Sequence, residues 1–291
     1  MKSFPMKYLY FPGCSLKGTG KAYEESLLAV FRALGIELRE IEDWNCCGAT
    51  AYMSVDEAKS YALAGRNLAI AEREDLDVIA PCSACYLGLN KAQKGLEEHP
   101  EIRAKVTKAL AAAGLEYQGK VKVRHPLDVL INDVGLDEIA KRIKAPLKGK
   151  KFAPYYGCQI VRPFASFDDQ YNPETMDRLL ATAGAECVTY PLKTRCCGGS
   201  LTGTVPEVGL RLAYIILKEA KKRGAEAIVT VCPLCQFNLD GYQDQIARKF
   251  EAVDMPVVYF TQILGLAMGL SADELGLKRS IISADAVLAG R

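Results

Sequence analysis

Long apolar runs are missing from this 291-residue chain: the longest, residues 263–270, falls far short of the roughly 20 residues a membrane-spanning helix needs. The opening Met1-Lys2-Ser3-Phe4-Pro5-Met6-Lys7 has neither an apolar core nor a small-residue cleavage site, so no signal peptide is expected and the chain reads as cytoplasmic. Excess charge is missing too. With 37 basic and 35 acidic residues, bulk electrostatics draws the chain to neither nucleic acid nor a membrane surface, and any anion site must be local. Nucleotide fingerprints are incomplete. Gly18-Thr19-Gly20 follows a strand-like run, but Tyr23 stands where the third glycine belongs, and Gly198-Gly199-Ser200-Leu201-Thr202-Gly203 lacks the phosphate-loop lysine, so no flavin or nucleotide is expected in this chain.

What the chain has is cysteine. Eleven are present, an odd number, and in a reducing compartment such a set points to metal ligands or redox groups rather than a disulfide framework. Two stretches organise them: Asn45-Cys46-Cys47-Gly48 and Arg195-Cys196-Cys197-Gly198-Gly199. Cys14 precedes the first, and Cys82 and Cys85 follow it; Cys158 precedes the second, and Cys232 and Cys235 follow it. The spacings are C-x31-CC-x34-CxxC and C-x37-CC-x34-CxxC, and they place ten of the eleven cysteines.

The elements around the cysteines repeat as well. In the first half, a strand at residues 8–11 ends in the Pro12-Gly13 turn that carries Cys14. Leu27, Val30, Phe31 and Leu34 then share one helical face, which Gly35 stops. A strand at 37–41 leads to Cys46 and Cys47, and Ser54 with Glu57 forms the expected capping box of a helix reaching Glu72. A buried strand at 77–80 ends at Cys82 and Cys85, where the next helix begins; a charged helix, a strand at 121–125 and a short helix at 127–136 complete the half. The second half answers with a strand at 152–156, a helix at 173–184, Thr204 and Glu207 as a second capping box with Pro206 in the first turn, strands at 227–231 and 257–260, and an apolar helix at 263–270.

Strands alternating with helices imply an α/β fold: two tandem Rossmann-like domains, 1–147 and 148–291, related by internal duplication, each with a parallel sheet. The cysteine loops are expected at the carboxyl ends of the strands, facing the domain interface, beside helix N-termini whose partial positive charge favours thiolates. The basic stretch Lys148-Gly149-Lys150-Lys151 at the junction reads as solvated surface. Cys187 stands outside the scheme. Aligned with Leu38, it reads as a small core hydrophobe.

Five cysteines per half exceed the four ligands of a tetrahedral zinc site. Adjacent cysteines point poorly at one small ion but can hold different irons of a larger cluster, with Gly48 and Gly198 letting the backbone approach it. An iron-sulfur cluster in each half is the leading expectation, with zinc in one or both halves and metal-free redox thiols as the alternatives.

The two motifs and their flanks, Phe11-Pro12-Gly13-Cys14 and Tyr155-Tyr156-Gly157-Cys158-Gln159, resemble the CCG-containing, cysteine-rich family, and within it the branch holding the B subunit of the soluble heterodisulfide reductases of methanogens. The resemblance implies two noncubane [4Fe-4S] clusters, one on Cys14, Cys46, Cys47, Cys82 and Cys85 and the other on Cys158, Cys196, Cys197, Cys232 and Cys235. It implies an oxidoreductase of methanogenesis that splits the small-molecule disulfide of coenzymes M and B between the clusters, each taking one sulfur. Because the chain has no ferredoxin-type run of closely spaced cysteines, electrons must arrive from elsewhere. The resemblance supplies the other heterodisulfide reductase subunits, one (C) with ferredoxin-like clusters and one (A) with flavin and iron-sulfur groups, together with a hydrogenase or formate dehydrogenase, in an electron-bifurcating assembly.

The family's substrate carries sulfonate, carboxylate and phosphate groups, which brings in the basic residues nearest the cysteine loops: Lys17, Lys21, Arg162, Lys193 and Arg195, each with a solvated-surface reading beside it. His125, at the end of the fourth strand, is a candidate proton donor whose alternative is a packed or capped ring. His99, before Pro100, reads as surface. Two other readings compete: a CCG subunit of another oxidoreductase, of the thiol:fumarate reductase or lactate or glycolate oxidase type, and a zinc-stabilised scaffold.

Overall fold

A computed structural model describes residues 6–49 and 51–288; residues 1–5, on which much of the leader reading rests, lie outside the described residues. It contains two four-stranded sheets, every pair parallel. The first has the order β2-β1-β3-β4, with β1 Lys7–Tyr10, β2 Glu37–Glu40, β3 Val78–Ile79 and β4 Val123–Arg124. The second has the order β6-β5-β7-β8, with β5 Lys151–Tyr155, β6 Glu186–Cys187, β7 Ala227–Thr230 and β8 Val257–Tyr259. The orders correspond strand for strand, as duplication requires. The register also matches: Tyr8 pairs with Leu38 and Phe152 with Cys187, which puts Cys187 at the leucine's place.

The principal helices are α1 Lys21–Ala33, α2 Glu57–Glu72, α3 Ser83–Glu98, α4 Pro100–Ala112, α5 Thr175–Thr182, α6 Pro206–Lys222, α7 Pro233–Asp240 and α8 Phe260–Ala267. By packing, the chain divides into one unit of residues 1–14 and 35–126 and another of residues 15–34 and 127–291. The division at 147/148 drawn from the repeat assigns 15–34 and 127–147 differently. Packing in the second unit accounts for both segments. Tyr23 of α1 stacks on Tyr259 with ring centroids 4.5 Å apart, and Ser26 and Thr261 share a buried hydrogen bond of 2.6 Å. The 127–147 segment is held by Leu147 N–H on the Ala183 carbonyl and by Lys144 and Ala145 N–H on that of Ala267. Each cysteine set lies wholly within one unit.

The core of the first unit includes Leu9, Phe11, Leu68, Ile79, Leu89 and Leu110 around its sheet; that of the second is built on Ala153, Ile216, Leu217, Ile228, Leu239 and Val257. Strands β1, β3, β5, β7 and β8 are near-continuous buried runs, as in a parallel sheet covered on both faces, whereas the edge strands β2 and β6 carry charged, exposed residues.

Two expected helix starts are corrected. Ser54 belongs to a short helix, Ala51–Val55, and the cap of α2 is Asp56, whose carboxylate accepts from Lys59 N–H at 3.0 Å. Thr204 likewise ends a short helix, Leu201–Thr204, and its hydroxyl donates to the Ser200 carbonyl at 3.1 Å. The residue before Pro206, Val205, occupies the cap position of α6 with no side-chain bond, and Pro206 sits in the first turn as expected. In both repeats an extra helical turn separates the Cys-Cys-Gly loop from the long helix. A capping-box pattern cannot reveal it.

The second of these turns lies against Gly209 of α6: a Cβ there would stand 2.4 Å from the backbone nitrogen of Thr202. Gly209→Ala should therefore destabilise the fold by about 1–3 kcal/mol through overpacking. Gly203→Ala, where an added Cβ meets nothing within 4 Å, should be near neutral. Chemical denaturation of the two variants measures the difference, and equal stabilities would refute the packing.

Candidate iron-sulfur sites

In each unit the strand ends deliver five cysteines to one place. Cys14 follows β1, Cys46 and Cys47 follow β2, and Cys82, immediately beyond β3, is the N-cap residue of α3 with Cys85 in the first turn. Cys158 follows β5, Cys196 and Cys197 follow β6, and Cys232 is the N-cap residue of α7 with Cys235 in its first turn. The N-cap location sets Cys82 and Cys232 against helix N-termini, where the macrodipole favours negative charge. Cys47, Cys82 and Cys85 are buried while Cys14 and Cys46 are exposed; in the second set Cys197, Cys232 and Cys235 are buried, Cys158 is half-buried and Cys196 exposed. Each site therefore has a buried base and an open rim.

The sulfurs touch pairwise, all but that of Cys14. The Cys47 and Cys85 sulfurs lie 3.2 Å apart. Hydrogen bonds from the Cys46 and then the Cys85 thiol pull the Cys47 thiol down to about 4, and Cys82 bonds Cys85 in turn. In the second set, hydrogen bonds from Cys158 and then Cys197 bring Cys196 down to about 2, helped by Gly198 N–H and the charge of Arg162. Cys197 meets Cys235, and Cys235 meets Cys232. One thiolate thus forms at low pH in each set, and its neighbours are pushed up by sharing their protons with it. Among the described residues, no three histidine, cysteine, aspartate or glutamate side chains are disposed around a single ion.

The residues fit a larger sulfur-bound group. Gly13 and Gly157 each precede the leading cysteine of their repeat. A Cβ on Gly13 would stand 2.8 Å from the Cys85 sulfur, and one on Gly157 would stand 3.0 Å from that of Cys235; both glycines have positive φ, +61° and +70°. The backbone passes so close to the sulfur that only glycine fits. Sequence reasoning missed the role of these two residues; the signal that could have found it is the Gly-Cys dipeptide in both repeats. Gly48 and Gly198 also have positive φ, but their close approaches are to Leu63 of α2 and Gly209 of α6, so they seat the loop on the following helix.

The loops are braced differently. Asn67 of α2 holds the backbone of Asn45 from both sides, accepting from its N–H and donating to its carbonyl, each at 2.9 Å. In the second repeat, the Tyr155 hydroxyl donates to the Arg195 carbonyl at 2.5 Å, and the Lys193 carbonyl accepts from the N–H groups of Tyr156 and Gly157 at 2.9 and 3.0 Å. The fully buried Asn238 donates to the Cys197 sulfur at 3.4 Å and to the Gly199 carbonyl at 2.8 Å, while its own carbonyl accepts from the Thr202 hydroxyl.

The basic candidates divide. Lys17 and Lys21 are exposed, and both bind the buried Glu24, at 2.7 and 2.5 Å. Burial works to raise the Glu24 pKa, but the two lysines outweigh it and hold the carboxyl below its ordinary value. Arg195 is exposed, and Arg162 is half-buried with its guanidinium on the Thr194 carbonyl. Lys193 turns inward instead. Its ammonium bonds Asp177 at 2.7 Å and the Pro173 carbonyl at 3.0 Å, with the Tyr156 hydroxyl donating to the same carboxylate at 2.6 Å. His125 is fully buried, its Nε2 3.0 Å from the Pro81 carbonyl and its ring edge-on to Tyr86. His99 is exposed. Cys187 is half-buried beside the Asp177 carbonyl, and burial raises its thiol to about 12.

The family model described as the CCG cysteine-rich domain matches residues 8–90 and 152–240. The chain belongs to that family. It is 35% identical to the 8-methylmenaquinol:fumarate reductase membrane anchor subunit of Wolinella succinogenes, over 96% of this chain and 98% of that one. It is 34% identical to a protein of Archaeoglobus profundus described as like the B subunit of heterodisulfide reductase, over 93% of each chain. It is 30% identical to the B subunit of the ferredoxin:CoB-CoM heterodisulfide reductase of Methanosarcina mazei, over 95% of this chain and 94% of that one. A crystal structure of a hypothetical protein from Helicobacter pylori shares the fold with a TM-score of 0.78 at 14% identity; 97% of this chain is covered, and it spans about half (53%) of that one. Among the described residues, no helix is long and apolar enough to cross a membrane.

In the reduced, metal-free protein, a lowered pKa means that the thiolate survives as pH falls. Alkylation of Cys196 should stay nearly constant between about pH 8 and 5, where an ordinary thiol slows about tenfold per unit. Cys187, raised by burial, should stay unreactive throughout. Peptide mass spectrometry after timed alkylation reads both, and a Cys196 rate falling like an ordinary thiol's would contradict the assigned charge.

Proposed function

We propose that the chain is the catalytic subunit of a disulfide-reducing oxidoreductase of the heterodisulfide reductase type, acting on the mixed disulfide of coenzymes M and B with two noncubane [4Fe-4S] clusters. The observation that carries this reading is the convergence of cysteines at the strand ends of each unit, linked sulfur to sulfur through all five in the second set and through four, all but Cys14, in the first, with a glycine over the innermost sulfur. The ligands would be Cys14, Cys46, Cys47, Cys82 and Cys85 for one cluster and Cys158, Cys196, Cys197, Cys232 and Cys235 for the other. Five thiols are more than a tetrahedral ion takes, and the adjacent pair suits a group with several irons. The similarity to B-type heterodisulfide reductase proteins over nearly the whole chain supports the assignment.

The reaction balances as one disulfide, two electrons and two protons giving two thiols. A bound cluster supplies an electron and an iron able to hold a thiolate sulfur; the protein's share is placement and electrostatics. The exposed thiols at the rim leave each site open on one side, while the buried thiols hold its base. Arg195 and Arg162 are the residues available to anionic groups of a substrate, while Lys17 and Lys21 are engaged by the Glu24 carboxylate. Lys193 serves as a brace for the turn before Cys158. His125 props the Pro81 carbonyl next to Cys82, a role its full burial suits better than proton donation. Electrons would come from partner subunits, one with ferredoxin-like clusters and one containing flavin, fed by a hydrogenase or formate dehydrogenase, in the cytoplasm.

A second reading has its own support. Similarity to the Wolinella succinogenes protein, over nearly the full length of both chains, favours a CCG subunit of a fumarate reductase.

Anaerobically purified protein should carry about eight irons and a matching amount of acid-labile sulfide, the content of two [4Fe-4S] groups. An electron paramagnetic resonance signal should appear on adding coenzyme M thiol under oxidising conditions, and the chemically reduced protein should convert the heterodisulfide to two thiols. Zinc with little iron would end the two-cluster reading. Full iron with no reaction towards the disulfide, but reoxidation by fumarate once partner subunits are added, would select the second reading.

A further inference from the structure

Correspondence between the repeats makes their differences informative. Four residues after the leading cysteine, the first repeat has Gly18 and the second Arg162; three residues after the last cysteine, the first has Gly88 and the second Asn238. Neither replacement is neutral for the sulfurs. Arg162 N–H donates to the Cys158 carbonyl at 3.0 Å, and its guanidinium donates to the carbonyl of Thr194, two residues before Cys196. One residue thus ties together the loops of Cys158 and Cys196. Its Nε is buried with no hydrogen-bond partner, and the guanidinium makes no carboxylate ion pair among the described residues. An arginine keeps its charge, so the second set has beside it a positive charge that no carboxylate among the described residues pairs.

The first set has no equivalent among the described residues. The arginine that reaches its Cys-Cys loop is Arg66, which donates to Asn45 Oδ1 at 3.1 Å, but the same guanidinium is paired with the Asp43 carboxylate. Asn238 adds a second difference, an N–H pointed at the Cys197 sulfur from a fully buried amide. Where Asn238 stands, the first repeat has Gly88, packed against Ala49.

Net charge and hydrogen bonds to sulfur are principal determinants of an iron-sulfur cluster's reduction potential, because both stabilise the electron-rich state. Taking the two-cluster reading above as given, we infer that the second cysteine set holds its cluster at a higher reduction potential than the first, with Arg162 and Asn238 as the positioning residues that set the difference. The duplicated sites are then unequal, and an electron entering the loaded chain comes to rest at the second.

The test is a reductive titration of the loaded full-length chain with dithionite, followed by absorbance and electron paramagnetic resonance, with iron and sulfide counted on every sample. The wild type should show two transitions. Arg162→Gln should lower the reduced-to-oxidised ratio of the higher one about tenfold at fixed potential, a shift of about 59 mV for one electron, and leave the other in place. Arg162→Lys should restore most of it, since the charge is kept. Cys196→Ser should remove the transition that Arg162→Gln moves. If Arg162→Gln loads fully and neither transition shifts, or both shift together, or the shifted one survives Cys196→Ser, the inference is overturned while the two-cluster reading stands. A wild type without iron overturns both.

Discussion

Sulfur-to-sulfur contact at a glycine is the constraint on which the rest of the molecule depends. For Cys85 and Cys235 to sit in the first turn of a helix and still meet a cysteine from a neighbouring strand end, the backbone before Cys14 and Cys158 must pass within contact distance of the sulfur. That demands a residue without a Cβ and with positive φ. Parallel strands ending at a common edge provide the geometry, since every carboxyl end opens into a loop on the same side. The long helices α2 and α6 then serve as beds for the Cys-Cys-Gly loops, with Leu63 and Gly209 at the closest approach.

Concentrating five thiols in each unit has an electrostatic consequence. The thiols cannot all ionise side by side; instead one in each set, Cys47 or Cys196, takes the first charge while its neighbours hold their protons. Such a set is poised for a cationic group that lets more of the thiols ionise together, which is how a cluster of irons complements it. The surroundings then diverge. Neutral amides brace the first set, whereas the second is flanked by Arg162 and by the buried Lys193–Asp177–Tyr156 network. Duplication supplied two equal frameworks, and substitutions at single positions made them chemically unequal.

Much of the architecture was legible in the chain. Apolar runs of strand length, one-sided helices and glycine stops located the strands, apart from the two-residue β6, and the long helices to within a few residues, because hydrophobic periodicity and turn chemistry act locally. The spacing of the cysteines, repeated across the halves, picked out the two groups that follow the strand ends. Local patterns misled at the helix starts: Ser54 and Thr204 satisfied a capping-box pattern but lie in short preceding turns, and Asp56 caps α2 instead. Lys193 was named for its nearness in sequence to the cysteines and His125 for its place at the end of the fourth strand, yet both are buried in other duties, since neither signal fixes where a side chain turns.

By itself the sequence determined the fold class, the internal duplication and the identity of the two cysteine sets, because each rests on periodicity or spacing that a chain carries without folding. Tertiary structure alone decided which glycines lie over which sulfurs, that Asn238 reaches Cys197, that Arg162 ties two cysteine loops together, and that residues 15–34 and 127–147 pack with the second unit. Those are contacts between residues far apart in the chain. Their existence depends on the free energy of burying particular surfaces together, which no local pattern records.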